Sequence, residues 1–223
     1  MNKHRIIFGL ACVAAFTVIC VTLNRQQTPT IDDSAWVDVD SIDVQADNAA
    51  MSSSHHMKFV DVPIDGTLRQ YVSRMRRAGF KVERYDGSVA VLVGSFLGHG
   101  GTRVYVNTLG KRDLVSKIAV VMPSMDDWAE LETAYTELKD YMTRGFGGYE
   151  SCVERFDNPY AQKDTGKMHA ILLDQFKYET RFVSECGDLS LLIKHADQKT
   201  FVMLIYKDKE NIQLLRMDAM DDL

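Results

Sequence analysis

Two shortages set the first limits on this chain. It has no excess of basic charge: 26 Lys and Arg stand against 31 Asp and Glu, a formal net charge of −5. The balance is uneven along the chain, because Asp32, Asp33, Asp38, Asp40, Asp43 and Asp47 all precede residue 58. Residues 58–223 are close to neutral, which argues against a dedicated nucleic-acid binder. Cysteine is also scarce. Of four, Cys12 and Cys20 fall in an apolar N-terminal run, leaving Cys152 and Cys186 for the folded part. That excludes a Cys-rich zinc cluster. An even pair in an exported domain is compatible with a Cys152–Cys186 disulfide and equally with two buried thiols.

Sequence patterns of catalysis are missing as well. The Gly-rich stretch GSFLGHGGTR (94–103) has no Lys after its glycines and leads into a strand, so it is a hairpin turn and not a phosphate loop. Ser95 stands one place too early for a nucleophile elbow. Asp-Thr-Gly occurs once, at 164–166, whereas aspartic-protease chemistry needs two such carboxylates sharing a proton. No His-Glu-x-x-His is present. His55 and His56 adjoin in a Ser-rich stretch and read as solvated, while His169 and His195 fall in strand-like runs with structural roles. A Cys152–His169 nucleophile pair would lack a third, orienting residue. The Asp ladder at 38–47 has Ile42 and Asp43 where a calcium loop needs a ligand and a Gly. Neither a cofactor nor a metal is implied.

What is present begins with Ile6–Leu23, eighteen residues without charge behind Lys3 and Arg5. As a helix it would be about 27 Å long, close to the hydrocarbon thickness of a bilayer. The basic flank leaves the C-terminal bulk outside the cytoplasm. The run exceeds a usual signal-peptide core and no clean Ala-x-Ala comes after it, so a retained anchor over 1–23 is the expectation. A cleaved signal peptide and a lipid anchor at Cys12 remain alternatives. Residues 24–57, rich in Asp, Ser, Gln and Ala, read as a flexible acidic linker. Its alternating segment WVDVDSIDV (36–44) has the form of a strand that adds to a sheet edge, although a solvated tether is the plainer account.

The folded part, 58–223, opens on a helix signal. Thr67 is a good N-cap, Leu68, Tyr71, Val72 and Met75 form an apolar stripe, and Gly79 supplies a left-handed stop. Strand-like runs come next at 88–96, 102–109 and 114–123. A second helix is expected from a Ser124/Asp127 capping box to Gly145, with a stripe of Trp128, Leu131, Tyr135, Leu138 and Met142. Further strand-like runs at 167–176, 177–185, 189–196 and 200–208 precede a last helix over 209–223. The order predicts an α+β domain, an antiparallel sheet with helices on one face. It also suggests a duplicated helix-plus-three-strand unit, 58–123 and 124–208. On the first helix Arg69, Arg74, Arg76 and Arg77 form a candidate partner face for an acidic protein or anionic headgroups, against the plain reading of a solvated side.

The segments VPIDGTLRQYVSRMRRAGF, VLVGSFLG, KIAVVMP, the Trp128–Met142 stripe, SCVERF and KMHAI together resemble a family of uncharacterised exported proteins of Bacteroidales bacteria. The similarity runs in order over most of 58–223. The family's start, Phe-x-Gly-Ile/Val-Pro-Ile-Asp/Asn-Gly-Thr, is matched except that Asp61 replaces the Gly. The resemblance implies no reaction and no catalytic residues. Its layout is similar to the folds of β-lactamase-inhibitor protein and of small outer-membrane assembly lipoproteins, a fold-level likeness that does not fix function. The expectation is therefore a membrane-tethered extracytoplasmic domain that binds a protein partner in the cell envelope. An envelope hydrolase and an assembly factor are the alternatives.

Overall fold

The computed structural model describes residues 55–108, 112–157 and 164–220. The anchor expected over 1–23 and the linker up to residue 54 lie outside these residues. A small hairpin comes first, β1 (Lys58–Phe59) with β2 (Val62–Pro63), then α1 (Leu68–Arg77). It leads into the meander β3 (Lys81–Tyr85), β4 (Val89–Phe96), β5 (His99–Asn107) and β6 (Lys117–Val121). Next come α2 (Trp128–Phe146), β7 (Ser151–Phe156), α3 (Asp164–Leu172), β8 (Phe176–Val183), β9 (Gly187–Ala196), β10 (Lys199–Asp208) and α4 (Lys209–Met220). The fold is α+β: eight strands form one antiparallel sheet in the order β3-β4-β5-β6-β10-β9-β8-β7.

That order joins two similar halves. Each has a helix followed by four strands, the second with α3 inserted between β7 and β8, and the last strands, β6 and β10, pair antiparallel at the centre through Met203–Val121 to Lys207–Lys117. The sequence pattern suggests only three strands per unit. It hides β3 and β7, the two edge strands, whose charged residues (Lys81, Glu83, Arg84; Glu154, Arg155) blunt an exposed edge and blur the apolar alternation.

Local chemistry accounts for the helices. Thr67 and Gln70 form a reciprocal capping box at α1. Asp113 accepts from the Leu68 amide at 3.0 Å, and Gly79 closes the end at φ +93°. Leu68, Tyr71, Val72 and Met75 are buried, as their spacing implies. At α2 the cap is Asp127, accepting from the Glu130 amide, and not Ser124, because Met125 is held extended by a bridge to Thr200. The helix runs past Gly145 to Gly147, which is left-handed at φ +76°. Residues 167–176, expected as a strand, instead supply most of α3. Met168 and Ile171 both turn onto the core at i, i+3, and Asp174 at φ +56° ends the turn.

The core lies between the helices and one face of the sheet. Tyr71, Trp128, Leu131, Tyr135 and Leu138 pack there with Leu92, Val104, Ile118, Leu191, Leu204 and Tyr206. Trp128 meets Phe156 and Tyr178 edge-on at 5.0 and 5.3 Å. Such pairs add about 0.5–1.5 kcal/mol each beyond the area they bury.

The turn before Pro63 accounts for the Asp61 departure. Val60 and Asp61 sit at φ +45° and +63°, the two central residues of the β1–β2 hairpin. Such a turn needs left-handed backbone at both, a state that Asp tolerates far better than most side chains, so Asp61 serves where Gly is expected.

Candidate protein-binding face

Strand alternation puts a second set of side chains on the face turned away from the core. At its centre Ala119, Met203 and Ile205 are buried, and Tyr105, Val121, Leu192 and Phe201 pack against them half-buried. These seven come from β5, β6, β10 and β9, so this apolar patch is built wholly by strands.

Basic charge predominates on this outer face. Along β10 the outward residues are Lys199, Phe201, Met203, Ile205 and Lys207, an apolar strip with a lysine at each end. Lys207 stands directly opposite Lys117 of β6, and Phe201 opposite Lys194 of β9. No carboxylate occupies an outward position on β5, β6 or β10. The face's acids are paired: Glu83 with Arg103 at 2.8 Å, Asp188 with Arg181 at 2.8 Å, and Glu179 with Lys177 at 3.4 Å. On its other side Lys207 stands opposite Asp188 of β9, in register with it, whose carboxylate is the one held by Arg181.

The expected arginine face is split. Arg69, Arg76 and Arg77 are exposed on the outer side of α1. Arg74 instead turns back and donates to the Asp65 carbonyl, closing the turn into the helix, so it belongs to the fold.

Cys152 and Cys186 are both thiols, with no disulfide between them. Cys152 on β7 pairs in register with Thr180 of β8, whereas Cys186 lies beyond Val183 in the β8–β9 turn. Three strand residues alone span about 10 Å, more than the ~7 Å a disulfide bridges. The Cys152 thiol has partners of another kind. Thr180 donates to its sulfur at 3.3 Å while the thiol donates to Glu154 at 3.2 Å, and Tyr135 meets Thr180 at 2.7 Å. Burial, reinforced by the Glu154 carboxylate, pushes the thiol above its usual range. That is the reverse of an activated nucleophile. Burial also acts to raise the Glu154 carboxyl, but its bond to Lys139 outweighs this and holds it low. His169 lies on α3, and His195 pairs with Asp174 at 3.1 Å.

The largest correction concerns His56. It is not a solvated tether residue but buried, with Nδ1 3.1 Å from Asp208 and Nε2 3.8 Å from Asp65 and 3.7 Å from Glu210. Asp208 is fully buried at the junction of β10 and α4. It accepts from the Met57 amide at 2.8 Å and, as the cap of α4, from the Asn211 amide at 2.9 Å. Asn211 in turn donates to the carbonyls of Ile64 and Val115. This cluster fastens residues 56–65 to the end of the central strand, so the folded part begins before residue 58. The readable signal was Asp-x-x-Asn at a strand-to-helix boundary, a capping pattern.

On the helix side, a shallow groove of about 370 Å³ lies between the β4–β5 turn and α2, lined by Leu97, His99, Glu137, Asp140, Tyr141 and Arg144 among others. Its lining mixes both charge signs, with no convergent polar set of the kind that orients a small substrate. Among the described residues no cluster of His, Cys, Asp and Glu is arranged to hold a metal. Among them, too, no helix is long and apolar enough to cross a membrane. Compared with protein-family models, curated proteins and solved structures, the chain matches none.

Proposed function

We propose that this chain is a membrane-tethered, extracytoplasmic domain that binds another protein through the outer face of its sheet. The observation that carries the reading is the apolar centre of that face, Tyr105, Val121, Leu192 and Phe201 around Met203 and Ile205, framed by lysines. Protein interfaces concentrate aromatic and Met side chains in such a centre, with charge kept to the rim. The uncharged run Ile6–Leu23 behind a basic start supports the tether and the side of the membrane. The resemblance to exported proteins points the same way. The raised Cys152 thiol and the mixed lining of the groove give an envelope hydrolase no comparable support.

The test is photo-crosslinking in membranes from cells that make the full chain, with the reactive group at position 105 or 201. A discrete protein adduct that Leu192→Glu abolishes and Tyr141→Glu, in the groove, leaves intact is the expected result. Adducts lost only with Tyr141→Glu, or adducts to nucleic acid, would overturn the reading.

A further inference from the structure

We propose that the acidic stretch Asp32–Asp47 of this same chain docks across the outer face along β10 and competes there with the partner. The competition rests on the function proposed above; the docking stands on charge and reach. The stretch holds six aspartates and no basic residue, interleaved with Trp36, Val37, Val39, Ile42 and Val44. The face offers a predominantly basic counterpart, an apolar strip between Lys199 and Lys207 with Lys194 and Lys117 beside it; the one carboxylate in register with the strip, Asp188 opposite Lys207, is taken up by Arg181 at 2.8 Å. Among the described residues Lys194, Lys199 and Lys207 form no ion pair.

The attachment point suits this occupant. His56 is pinned to Asp208, the residue after Lys207, so the chain leaves the domain at the Lys117–Lys207 end of the face. Eight residues from Asp47 to His55 reach at most about 27 Å, and β10 itself is about 33 Å long. The aspartates from 38 to 47 can therefore lie along the whole strip. Tethering raises their local concentration to roughly the millimolar range, so weak charge pairing suffices.

Trp36 is a built-in reporter, since the only other tryptophan, Trp128, is buried at 1% exposure. Subtracting the emission of the full chain carrying Trp36→Phe isolates the Trp36 signal. Docking predicts blue-shifted emission at low salt that moves to longer wavelength at 1 M salt, where screening acts within about 3 Å. The same release is expected in Lys199→Glu/Lys207→Glu and in Asp38→Asn/Asp40→Asn/Asp43→Asn. A solvent-like Trp36 spectrum at low salt overturns the docking. So does a blue-shifted one that ignores the lysine reversals, or one that fades on dilution, which would mark a second copy as the occupant. Crosslinking from position 105 separates the two claims, because it reports the partner whatever Trp36 does. Release of the stretch is expected to increase partner adducts; an unchanged yield overturns the competition and leaves the binding function standing.

Discussion

Replacing Asp208 by Ala should be among the most damaging single changes in the domain, although no part of this side chain reaches solvent. Three losses contribute. Removing the cap of α4 costs about 1 kcal/mol. The Met57 amide, 2.8 Å from one carboxylate oxygen, is left buried without a partner, at about 1–3 kcal/mol. The His56 ring loses its 3.1 Å contact while staying under cover, at a similar cost. Allowing for shared relaxation, the sum is about 3–5 kcal/mol, a large share of the ~5–15 kcal/mol by which domains are stable. Urea unfolding of the full chain measures it directly. Thermal unfolding should fall by roughly 6–20 °C, at about 2–4 °C per kcal/mol for a chain of this size. Asp208→Asn keeps one acceptor but turns an N–H₂ toward a donor, so its effect should be smaller, about 1–3 kcal/mol. Native-state hydrogen exchange should locate the damage, with the Met57 and Asn211 amides exchanging fastest. A loss below about 1 kcal/mol for Asp208→Ala, or exchange that rises no more at Met57 than elsewhere, would refute the idea that this cluster fastens the start of the domain.

Leu97 holds a left-handed backbone (φ +48°) beside Gly98 in the two-residue β4–β5 turn, with its side chain 41% exposed. Leu97→Asn gives the turn the Asn-Gly pair it prefers, and should add about 1 kcal/mol by relieving backbone strain; a thermal midpoint no higher than the parent's would count against that strain. Alkali should unfold the domain through its tyrosines. Burial pushes the Tyr178 phenol up to about 12, and drives Tyr71, Tyr135 and Tyr206 further above the usual value near 10, the Thr180 bond at Tyr135 only partly offsetting it. Both states are protonated below about pH 10. Above it the unfolded chain ionises first, so stability falls as pH rises toward the folded values. Tyrosinate absorbance tracked alongside circular dichroism should show these four ionising only as the fold is lost; all tyrosines titrating near pH 10 in an intact fold would disprove it.

What the sequence showed plainly was what is decided locally. The first helix was legible because its cap, its stripe and its stop lie within thirteen residues, Thr67 to Gly79, and none depends on a distant partner. The hairpin at Leu97–Gly98 was legible for the same reason. By contrast MHAILL (168–173) is too short and too evenly apolar for periodicity to separate strand from helix, and contacts with α2 and β9 decide it. The cap of α2 moved from Ser124 to Asp127 because Met125 is pinned by Thr200, 75 residues away. His56 departs furthest from its sequence surroundings. Its neighbours in sequence, Ser54 and His55, say solvent, while the groups that bury it, Asp65, Asp208 and Glu210, come from a turn, a strand end and a helix.

The candidate face was hidden by an average. Counting Lys and Arg against Asp and Glu over residues 58–223 gives near neutrality, and that figure alone led away from any strongly charged surface. Folding sorts the charges by strand parity. On β10 the lysines at 199 and 207 share parity with Phe201, Met203 and Ile205, so they reach the outer face together, while Asp208, one residue on, turns inward and caps a helix. A carboxylate and an ammonium adjacent in sequence thus stand on opposite sides of the sheet. The alternation was readable, and it assigns TRVYVNTL one half-buried face, but pairing was not. That Lys207 stands opposite Lys117 and Phe201 opposite Lys194 depends on β10 lying between β6 and β9. The two halves meet at that seam, so the strands that join them also concentrate basic charge and apolar surface in one place. A surface feature born at such a junction has no local signature in either half, and for that reason the arginines of α1, contiguous in sequence, drew attention first.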